Sequence, residues 1–237
     1  MKIFLKSSIF FFDIIDKFIH QKRIIKFFKK KKIKIQTLID VGSHKGLYTD
    51  LFIENYNIKK IMMFEPQIKI FKFLKKKYIK NKRIKIFNFA VSNKNNFQNL
   101  QLNHHDLTTS LSTFNKNNFY LKMKALLFGV EKMIYQKIKI KTIRLVDILK
   151  KDKIYNVDLL KVDTEGHELE VLEGLKEKIN IIQIILIEFH RDKIYQKYNP
   201  NKIHNHLLKN NFTLKAKFKF PFTSWEDRIY FNKNENR

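Results

Sequence analysis

Apolar and polar positions along the chain follow two periods that alternate between residue 37 and the C-terminus. Short apolar runs that end in turn residues or polar side chains predict five strands. These runs lie at residues 37–41, 61–64, 84–91, 157–162 and 181–189. Helical spacing predicts helices at residues 47–55, 67–78 and 166–178. Strands that alternate with helices predict an α/β fold with a mainly parallel sheet.

Two regions depart from this alternation. Residues 212–220 and 228–231 read as two strands without a helix between them, which predicts a terminal antiparallel pair. Residues 93–156 are long for a single connection, and residues 137–143 within them alternate like a strand. We expect this segment to be an insertion that serves as an active-site lid or substrate loop.

The first 36 residues form a basic N-terminal segment, followed by one domain at residues 37–237. Apolar side chains in this segment recur at helical spacing, at Phe11, Ile14, Ile15, Phe18 and Ile25. We favour a helix that packs on the domain and leads into a solvated run, Lys29–Lys32. The alternative is a basic amphipathic helix on an anionic membrane surface.

Composition narrows the class of protein. The 237 residues include no cysteine, which excludes a disulfide scaffold, a thiolate metal site and a cysteine nucleophile. No apolar run approaches the roughly 18–20 residues of a membrane span, which excludes a multispan membrane protein. We expect a cytoplasmic protein, with contact to the inner face of the membrane limited to residues 1–36.

The formal net charge is +27, but the basic residues are 43 lysines and only six arginines. Proteins that read nucleic acid rely on arginine, whose planar fork bonds bidentately. The chain is also rich in Ile, Asn and Phe, which share A/T-rich codons with Lys. We therefore attribute most of the lysine to composition and expect no specific nucleic-acid partner.

A glycine-containing turn follows the first predicted strand, in the run Asp40-Val-Gly-Ser-His-Lys-Gly46. Gly42 permits a tight turn and close backbone approach, and Gly46 is expected to let the next helix pack near the sheet. Glu65 lies 23 residues after Gly42, at the end of the second strand. An acid at that position is placed to accept hydrogen bonds from ribose hydroxyls. Pro66 suits the first turn of the following helix.

These two motifs predict an adenosine-containing ligand. A dinucleotide fingerprint has three glycines around a pyrophosphate, whereas Ser43 and His44 stand here instead. Asp40 would repel a pyrophosphate but attract a cationic amino-acid group, which favours S-adenosylmethionine over NAD. No phosphate-loop motif for a kinase or ATPase occurs.

A third cluster of polar residues ends the fourth predicted strand. Lys161, Asp163 and Glu165 fall on alternate positions, so that a strand would turn them to one side. The alternative is that Thr164 or Asp163 only caps the following helix. The next strand closes with Glu188 and His190. Ligands bind at the carboxyl edge of open α/β sheets, which is where these residues are expected to meet.

At this point the chain resembles the FkbM family of S-adenosylmethionine-dependent methyltransferases, over roughly residues 36–232. The most specific match is Lys-Val-Asp-Thr-Glu-Gly-His-Glu within residues 159–174. The other matching runs are residues 39–46, Phe64-Glu-Pro66, Ala90-Val91, Thr109-Ser-Leu111 and Ile187-Glu-Phe-His190. The family has Ala and Asn where Ser43 and His44 stand, which bears on contacts to the methionine end of the cofactor.

The resemblance implies a Rossmann-like class I methyltransferase fold, with a seven-stranded sheet whose last strand is antiparallel. It implies S-adenosylmethionine as cofactor and O-methylation of a hydroxyl on a sugar, glycan or secondary metabolite. The cofactor-binding residues it implies are Asp40, Gly42, Ser43, Gly46, Glu65, Pro66, Ala90 and Val91. The catalytic candidates are Lys161, Asp163, Glu165 and His190.

Several alternatives stay open at this stage. Asp163 or His190 is the candidate base for the hydroxyl proton. The ordinary pKa of His is closer to neutral pH than that of Asp, so His190 would need the smaller change of its pKa. Asp163, Glu165 and Glu188 form an alternative divalent-cation site, which is not favoured. His44 and the pair His104-His105 read as polar loop residues. An RNA 2′-O-methyltransferase or nucleic-acid-binding protein using the basic surface is the second function class, and a non-catalytic adenosine-binding scaffold is the third. The acceptor and the oligomeric state are not defined by the sequence.

Overall fold

The chain folds around a seven-stranded sheet. The computed structural model describes residues 20–103, 109–115, 118, 122, 134–190, 194–220 and 225–233. The strands of this sheet are β1 (Thr37–Val41), β2 (Lys60–Phe64), β3 (Ile84–Phe87), β7 (Val157–Val162), β8 (Ile182–His190), β9 (Phe212–Lys219) and β10 (Trp225–Asn232). They lie side by side in the order β3-β2-β1-β7-β8-β10-β9. Neighbours pair in parallel except for β10, which is antiparallel to β8 and β9. The predicted fold class is confirmed.

Helices cover both faces of the sheet. They are α1 (Gln21–Lys30), α2 (Leu47–Asn55), α3 (Ile68–Lys77), α4 (Leu145–Lys151), α5 (Glu168–Glu173) and α6 (Pro200–Lys209). One apolar cluster joins side chains of α1, α2 and α3 to β1 through Leu38, and a second joins α4, α5 and α6 to β1 through Ile39. Successive side chains of a strand point to opposite faces, so β1 supplies both clusters. The central strands are buried on both faces and therefore read as continuous apolar runs.

The N-terminal helix packs on the domain, as the favoured interpretation predicts. Ile24 and Phe28 of α1 are fully buried, and Phe28 packs edge-on against Phe52 of α2. Lys29–Lys32 are exposed, as predicted. Phe11, Ile14, Ile15 and Phe18 lie outside the described residues, and membrane contact through this segment stays a prediction. Within the described part of the chain, no helix is long and apolar enough to cross a membrane.

The third predicted strand, residues 84–91, is wrong as one element. The chain leaves the main sheet at Asn88, whose side-chain amide donates 3.0 Å hydrogen bonds to the backbone oxygens of Glu65 and Pro66. Ala90–Val91 then forms β4, which pairs with β6 of a second sheet. That sheet has the order β4-β6-β5, with β5 at Asn96–Asn103 and β6 at Ile134–Ile143.

The predicted helix at residues 166–178 is also shorter than expected. Gly166 has a left-handed backbone, with φ +92°, so that α5 begins only at Glu168. At the other end, α5 ends at Glu173, and a 3₁₀ helix follows at Lys176–Ile181. The first residue of the 3₁₀ helix, Lys176, has a φ of +48°, which interrupts the helical backbone. Neither α4 nor α6 is among the helices predicted from the sequence. The insertion contains β5, β6 and α4, and most of residues 104–133, including His104 and His105, lies outside the described residues.

Gly174 ends α5 against the loop that follows β4. A Cβ at this position would lie 2.2 Å from the backbone oxygen of Ser92, while the φ of −69° suits any residue. The constraint is therefore steric. Gly174→Ala should lower the free energy of unfolding by about 1–3 kcal/mol, because overpacking forces the backbones apart. Urea unfolding followed by circular dichroism measures this loss.

Lys209→Ala, at the exposed end of α6, is the control and should change the stability by less than about 0.5 kcal/mol. Equal stability of Gly174→Ala and Lys209→Ala would contradict the steric account.

Candidate active site

A cleft opens at the carboxyl edge of the main sheet, where β1, β2 and β7 end. It holds about 630 Å³ of empty space, part of it open to solvent. Its walls combine apolar and acidic groups. The lining residues are Val41, Gly42, His44, Phe64, Glu65, Pro66, Gln67, Ala90, Val91, Leu100, Thr109, Ser110, Leu111, Asp163, Thr164, Glu165 and His167.

Gly42 brings the ends of three strands together. A Cβ on this residue would lie 1.7 Å from the backbone oxygen of Asp163, and its φ is +80°. Its backbone N–H donates to the carbonyl oxygen of Phe64 over 3.1 Å, and the N–H of Asp163 donates to the carbonyl oxygen of Val41 over 3.0 Å. The predicted tight turn and close approach are both present. Only glycine fits this position.

Ser43 and Gly46 support the turn but do not line the cleft. The Ser43 hydroxyl donates to the backbone oxygen of Asp40 over 2.7 Å and accepts from the N–H of Phe64 over 3.2 Å. Gly46 has φ +76°, and a Cβ there would lie 2.4 Å from the hydroxyl oxygen of Tyr78. Gly46 therefore lets α2 approach the end of α3, which corrects the expectation that it packs near the sheet.

Glu65 stands in the cleft wall with its carboxylate oriented by two backbone donors. Oε2 accepts from the N–H of His44 over 3.0 Å, and Oε1 accepts from the N–H of Gln67 over 2.8 Å. Pro66 also lines the cleft, but α3 begins two residues later, so Pro66 is not in the first helical turn as predicted.

Apolar and small polar groups form the opposite wall. Ala90 and Val91 line the cleft from β4, where the resemblance places cofactor contacts. His167 lies beside them, and its Nε2 is 2.9 Å from the hydroxyl oxygen of Ser92. Burial lowers the pKa of His167 to about 4, so this ring is neutral near pH 7. Sequence reasoning missed His167, although it lies within the most specific matching motif.

Lys161 is buried between two carboxylates at the ends of β1 and β7. Its Nζ lies 3.1 Å from Asp163 Oδ2 and 3.6 Å from Asp40 Oδ1, and only 4% of the residue is exposed. Burial, the largest effect, favours neutral lysine, but the Asp163 and Asp40 charges outweigh it and hold the pKa of Lys161 above its ordinary value. Asp40 also accepts from the Thr49 hydroxyl over 2.7 Å. The cation that meets Asp40 is thus a side chain of this protein, and Asp40 does not line the cleft.

Asp163 lines the cleft as an ionised group. Burial favours its neutral form most strongly, but the charge and hydrogen bond of Lys161 outweigh burial and lower the pKa of Asp163. Asp163 is not the helix cap of the alternative interpretation. The turn after β7 is held by Glu168, whose Oε1 accepts from the N–H groups of Thr164 and Gly166, each over 3.0 Å. Glu168 is a residue whose role the sequence did not reveal.

Glu165 belongs to this turn and not to the strand. Its φ of +56° places it beyond the end of β7, which corrects the prediction that Lys161, Asp163 and Glu165 alternate along one strand. The turn nevertheless brings it to the same edge. Burial, followed by the charge of Glu188, raises the pKa of Glu165 to about 8. The hydroxyl of Tyr195 donates to its carboxylate.

Two groups at the end of β8 complete the acidic cluster. His190 Nε2 lies 3.1 Å from Glu188 Oε2 and 3.8 Å from Glu165 Oε2. Burial and then the Asp163 and Asp227 charges raise the pKa of Glu188 well above its ordinary value. His190 is 2% exposed and does not line the cleft. The prediction that these side chains meet Asp163 at one sheet edge is confirmed, but His190 stands behind the carboxylates.

The insertion contacts this site directly. The Ser110 hydroxyl donates to the backbone oxygen of Glu165, and the Ser112 hydroxyl donates to that of Gly166, each over 2.5 Å. Thr109, Ser110 and Leu111 line the cleft. Tyr195 packs against Gly166, where a Cβ would lie 2.5 Å from its ring. No local pattern announces Tyr195, since its contacts to residues 165 and 166 cross about 30 positions of sequence.

The fold and the cleft define an α/β protein with a candidate small-molecule site at the carboxyl edge of its seven-stranded sheet. A family model for the FkbM methyltransferase domain matches residues 40–214. The chain belongs to this family, and the resemblance drawn from its sequence motifs is confirmed.

Comparisons with individual proteins agree with this assignment. The chain is similar to the methyltransferase FkbM of Methylobacillus flagellatus KT, with a TM-score of 0.54 and 14% identity over 84% of this chain and 43% of that protein. It is also similar to TrmK of M. capricolum, solved with S-adenosylhomocysteine, with a TM-score of 0.51 and 14% identity over 91% and 68%. These likenesses show the fold.

One curated relative matches over a short segment. The hexuronic acid methyltransferase AglP of Haloferax volcanii is 35% identical over 51 residues, which are 22% of this chain and 21% of AglP. The match therefore spans about a fifth of that relative.

Lys161→Met should destabilise the protein by about 3–5 kcal/mol, because the buried Asp40 and the half-buried Asp163 then lose their shared cation. Adding Asp40→Asn to Lys161→Met should recover part of that loss, since one of the two charges is removed. Urea unfolding of both variants measures the difference.

Lys60→Met replaces an exposed lysine at the start of β2 and should change the stability by less than about 0.5 kcal/mol. If Lys161→Met were as stable as this control, the ion cluster would not hold the two strand ends together.

Proposed function

We propose that the protein transfers a methyl group from S-adenosylmethionine to a hydroxyl of a sugar or glycan. The observation that carries the proposal is the cleft itself, which holds an acid for a ribose at the end of β2 and an ionised Asp163 at the end of β7. The short similarity to a hexuronic acid methyltransferase supports a sugar acceptor.

The cleft residues fit the parts of this cofactor. Glu65 presents an oriented carboxylate, which suits the two ribose hydroxyls. Phe64, Val91 and Leu100 supply apolar surface for a flat base. Gly42 lacks a Cβ, so the end of β1 packs directly on the backbone of Asp163, and both residues line the cleft. The cofactor supplies a methyl group that is already activated on a sulfonium, so the protein mainly orients the reactants and removes a proton.

Asp163 is the group that we assign to the acceptor hydroxyl. Lys161 keeps it ionised, and its carboxylate reaches the cleft, so it can accept the hydroxyl hydrogen bond and orient the oxygen. As the new O–CH₃ bond forms and the S–CH₃ bond breaks, the hydroxyl proton passes to this carboxylate. S-adenosylhomocysteine is then the second product. His190, the other candidate base, does not line the cleft, and its ring lies against Glu165 and Glu188.

An RNA 2′-O-methyltransferase is the second candidate class. If Lys161 were the base that removes the proton of an RNA 2′-hydroxyl, its pKa would have to be lowered. Asp40 and Asp163 instead hold the pKa of Lys161 above its ordinary value. This observation favours the sugar acceptor. A non-catalytic scaffold would bind the cofactor without turnover.

Glu65→Ala should weaken S-adenosylmethionine binding about ten- to a hundredfold, because one charged hydrogen bond contributes about 1.5–3 kcal/mol. Calorimetric titration of the folded variant measures the affinity. Glu54→Ala, an exposed acid on α2, is the matched control and should bind like the parent protein. Parent-like binding by Glu65→Ala would refute the ribose contact.

Asp163→Asn should reduce turnover by about 10²–10⁴ while the fold is retained, because Asn matches the shape of Asp but does not take up the proton. The assay uses labelled S-adenosylmethionine with fractionated glycans, lipids and RNA, and follows the label into each fraction. We expect label in the glycan fraction.

Asp152→Asn is the control for this assay, because Asp152 pairs with Lys85 away from the cleft. It should retain parent activity. Near-normal turnover by Asp163→Asn would remove Asp163 from the mechanism, and label in RNA alone would replace the sugar acceptor with the second candidate.

A further inference from the structure

Three side chains around the cleft converge with the spacing of metal ligands. Glu165 follows β7, and Glu188 and His190 end β8. One nitrogen or carboxylate oxygen from each lies within 4.8 Å of the other two. Ligands held about 2.0–2.2 Å from one cation are themselves about 3–4 Å apart. The pairs at 3.1 Å and 3.8 Å around His190 Nε2 already have this spacing.

His190 is presented to the two glutamates without a hydrogen-bond partner. The residue is 2% exposed, and neither ring nitrogen makes a hydrogen bond to any residue that the structure describes. Glu188 Oε2 likewise has no hydrogen bond within the described part of the chain. A buried polar atom without a partner costs about 1–3 kcal/mol, so an arrangement that leaves several of them facing each other needs a reason. A shared cation would provide it.

The surrounding groups fix His190 in this orientation. The rings of Tyr195 and Tyr198 pack edge-on against the imidazole, with centroids 5.1 Å and 5.6 Å away. Tyr195 also donates its hydroxyl to Glu165. One residue thus positions two of the three converging side chains. Such outer contacts to ligand side chains are typical of metal sites in proteins.

The two glutamates share one histidine, and a histidine balances a carboxylate only when its ring is protonated. Lys161 is shared between Asp40 and Asp163, and among the described residues no lysine or arginine forms an ion pair with Glu165 or Glu188. A divalent cation would neutralise both carboxylates.

We propose that Glu165, Glu188 and His190 bind one divalent cation, with Mn²⁺ as the type of ion they suit. Two carboxylates and one imidazole suit a first-row transition ion better than Ca²⁺, which takes oxygen ligands. Three protein ligands leave coordination positions for an acceptor, and Glu165 directs them toward the cleft that it lines. Binding of the ion is independent of the proposed function. Its role, to lower the pKa of the acceptor hydroxyl, rests on that function.

The test measures Mn²⁺ binding alone, on the full chain treated with a chelator and then dialysed, without cofactor or acceptor. Electron paramagnetic resonance follows the loss of the free Mn²⁺ signal during titration. We expect one bound Mn²⁺ per chain. Glu165→Gln and Glu188→Gln should each weaken binding by more than about tenfold, since even outer-shell changes cost 10–100-fold.

Glu173→Gln, an exposed glutamate at the end of α5, is the matched control and should bind Mn²⁺ like the parent protein. Glu165 stands at the cleft wall, so Glu165→Gln keeps the test valid if Glu188→Gln does not fold. No stoichiometric Mn²⁺ binding, or parent-like binding by Glu165→Gln, would overturn the site. Mn²⁺ binding without methyl transfer would refute the proposed function and leave the metal site standing.

Discussion

The ion cluster around Lys161 is the interaction on which the site depends. Lys161 lies at the end of the central strand β7 and joins Asp40 of β1 to Asp163. Burying three charges is costly, and the cost is offset only when each one is paired. The register Asp40 to Lys161 places the ends of β1 and β7 side by side, and the glycine at position 42 lets the two backbones touch there. Glu65 and Asp163 then face one cleft because the strands that carry them end at one level.

The same cluster explains how four neighbouring carboxylates divide into two kinds. Asp40 and Asp163 share the lysine, and Asp163 is held in the charged form. Glu165 and Glu188 form no ion pair with Lys161, and their pKa values are raised above the ordinary value. One lysine compensates two carboxylates but not four. The site therefore has an ionised Asp163 beside two glutamates whose pKa values are raised.

The strand pattern, the Gly42 turn and the meeting of acids at one edge could be predicted from the sequence, because they follow from short-range periodicity and from the rule that parallel strands end together. Other features depend on contacts between distant segments. The break after β3 arises from Asn88 bonding to the backbone of residues 65 and 66. The helix after β7 is shortened by backbone φ values, which an apolar pattern does not encode. Tyr195 reaches Glu165 only through the folded loop after β8.

Composition gives a last argument that the acidic edge serves chemistry. The chain has 22 acidic residues against 49 basic ones, so acids are scarce on its surface. An amino-acid composition that favours lysine would place lysine or apolar residues at a sheet edge. This edge carries carboxylates instead, at Asp40, Glu65, Asp163, Glu165, Glu168 and Glu188. Asp40 lies in the glycine-containing motif after β1, and Glu65 directly follows β2. Asp163, Glu165 and Glu168 lie in the motif at residues 159–174, and Glu188 lies outside both motifs. Asp40 and Asp163 share Lys161, and Glu168 holds the turn after β7, so these three have structural partners. Glu165 and Glu188 have no lysine or arginine partner among the described residues. Acids without such a partner reduce stability, and their place at the carboxyl edge of the sheet makes these two candidates for a functional role.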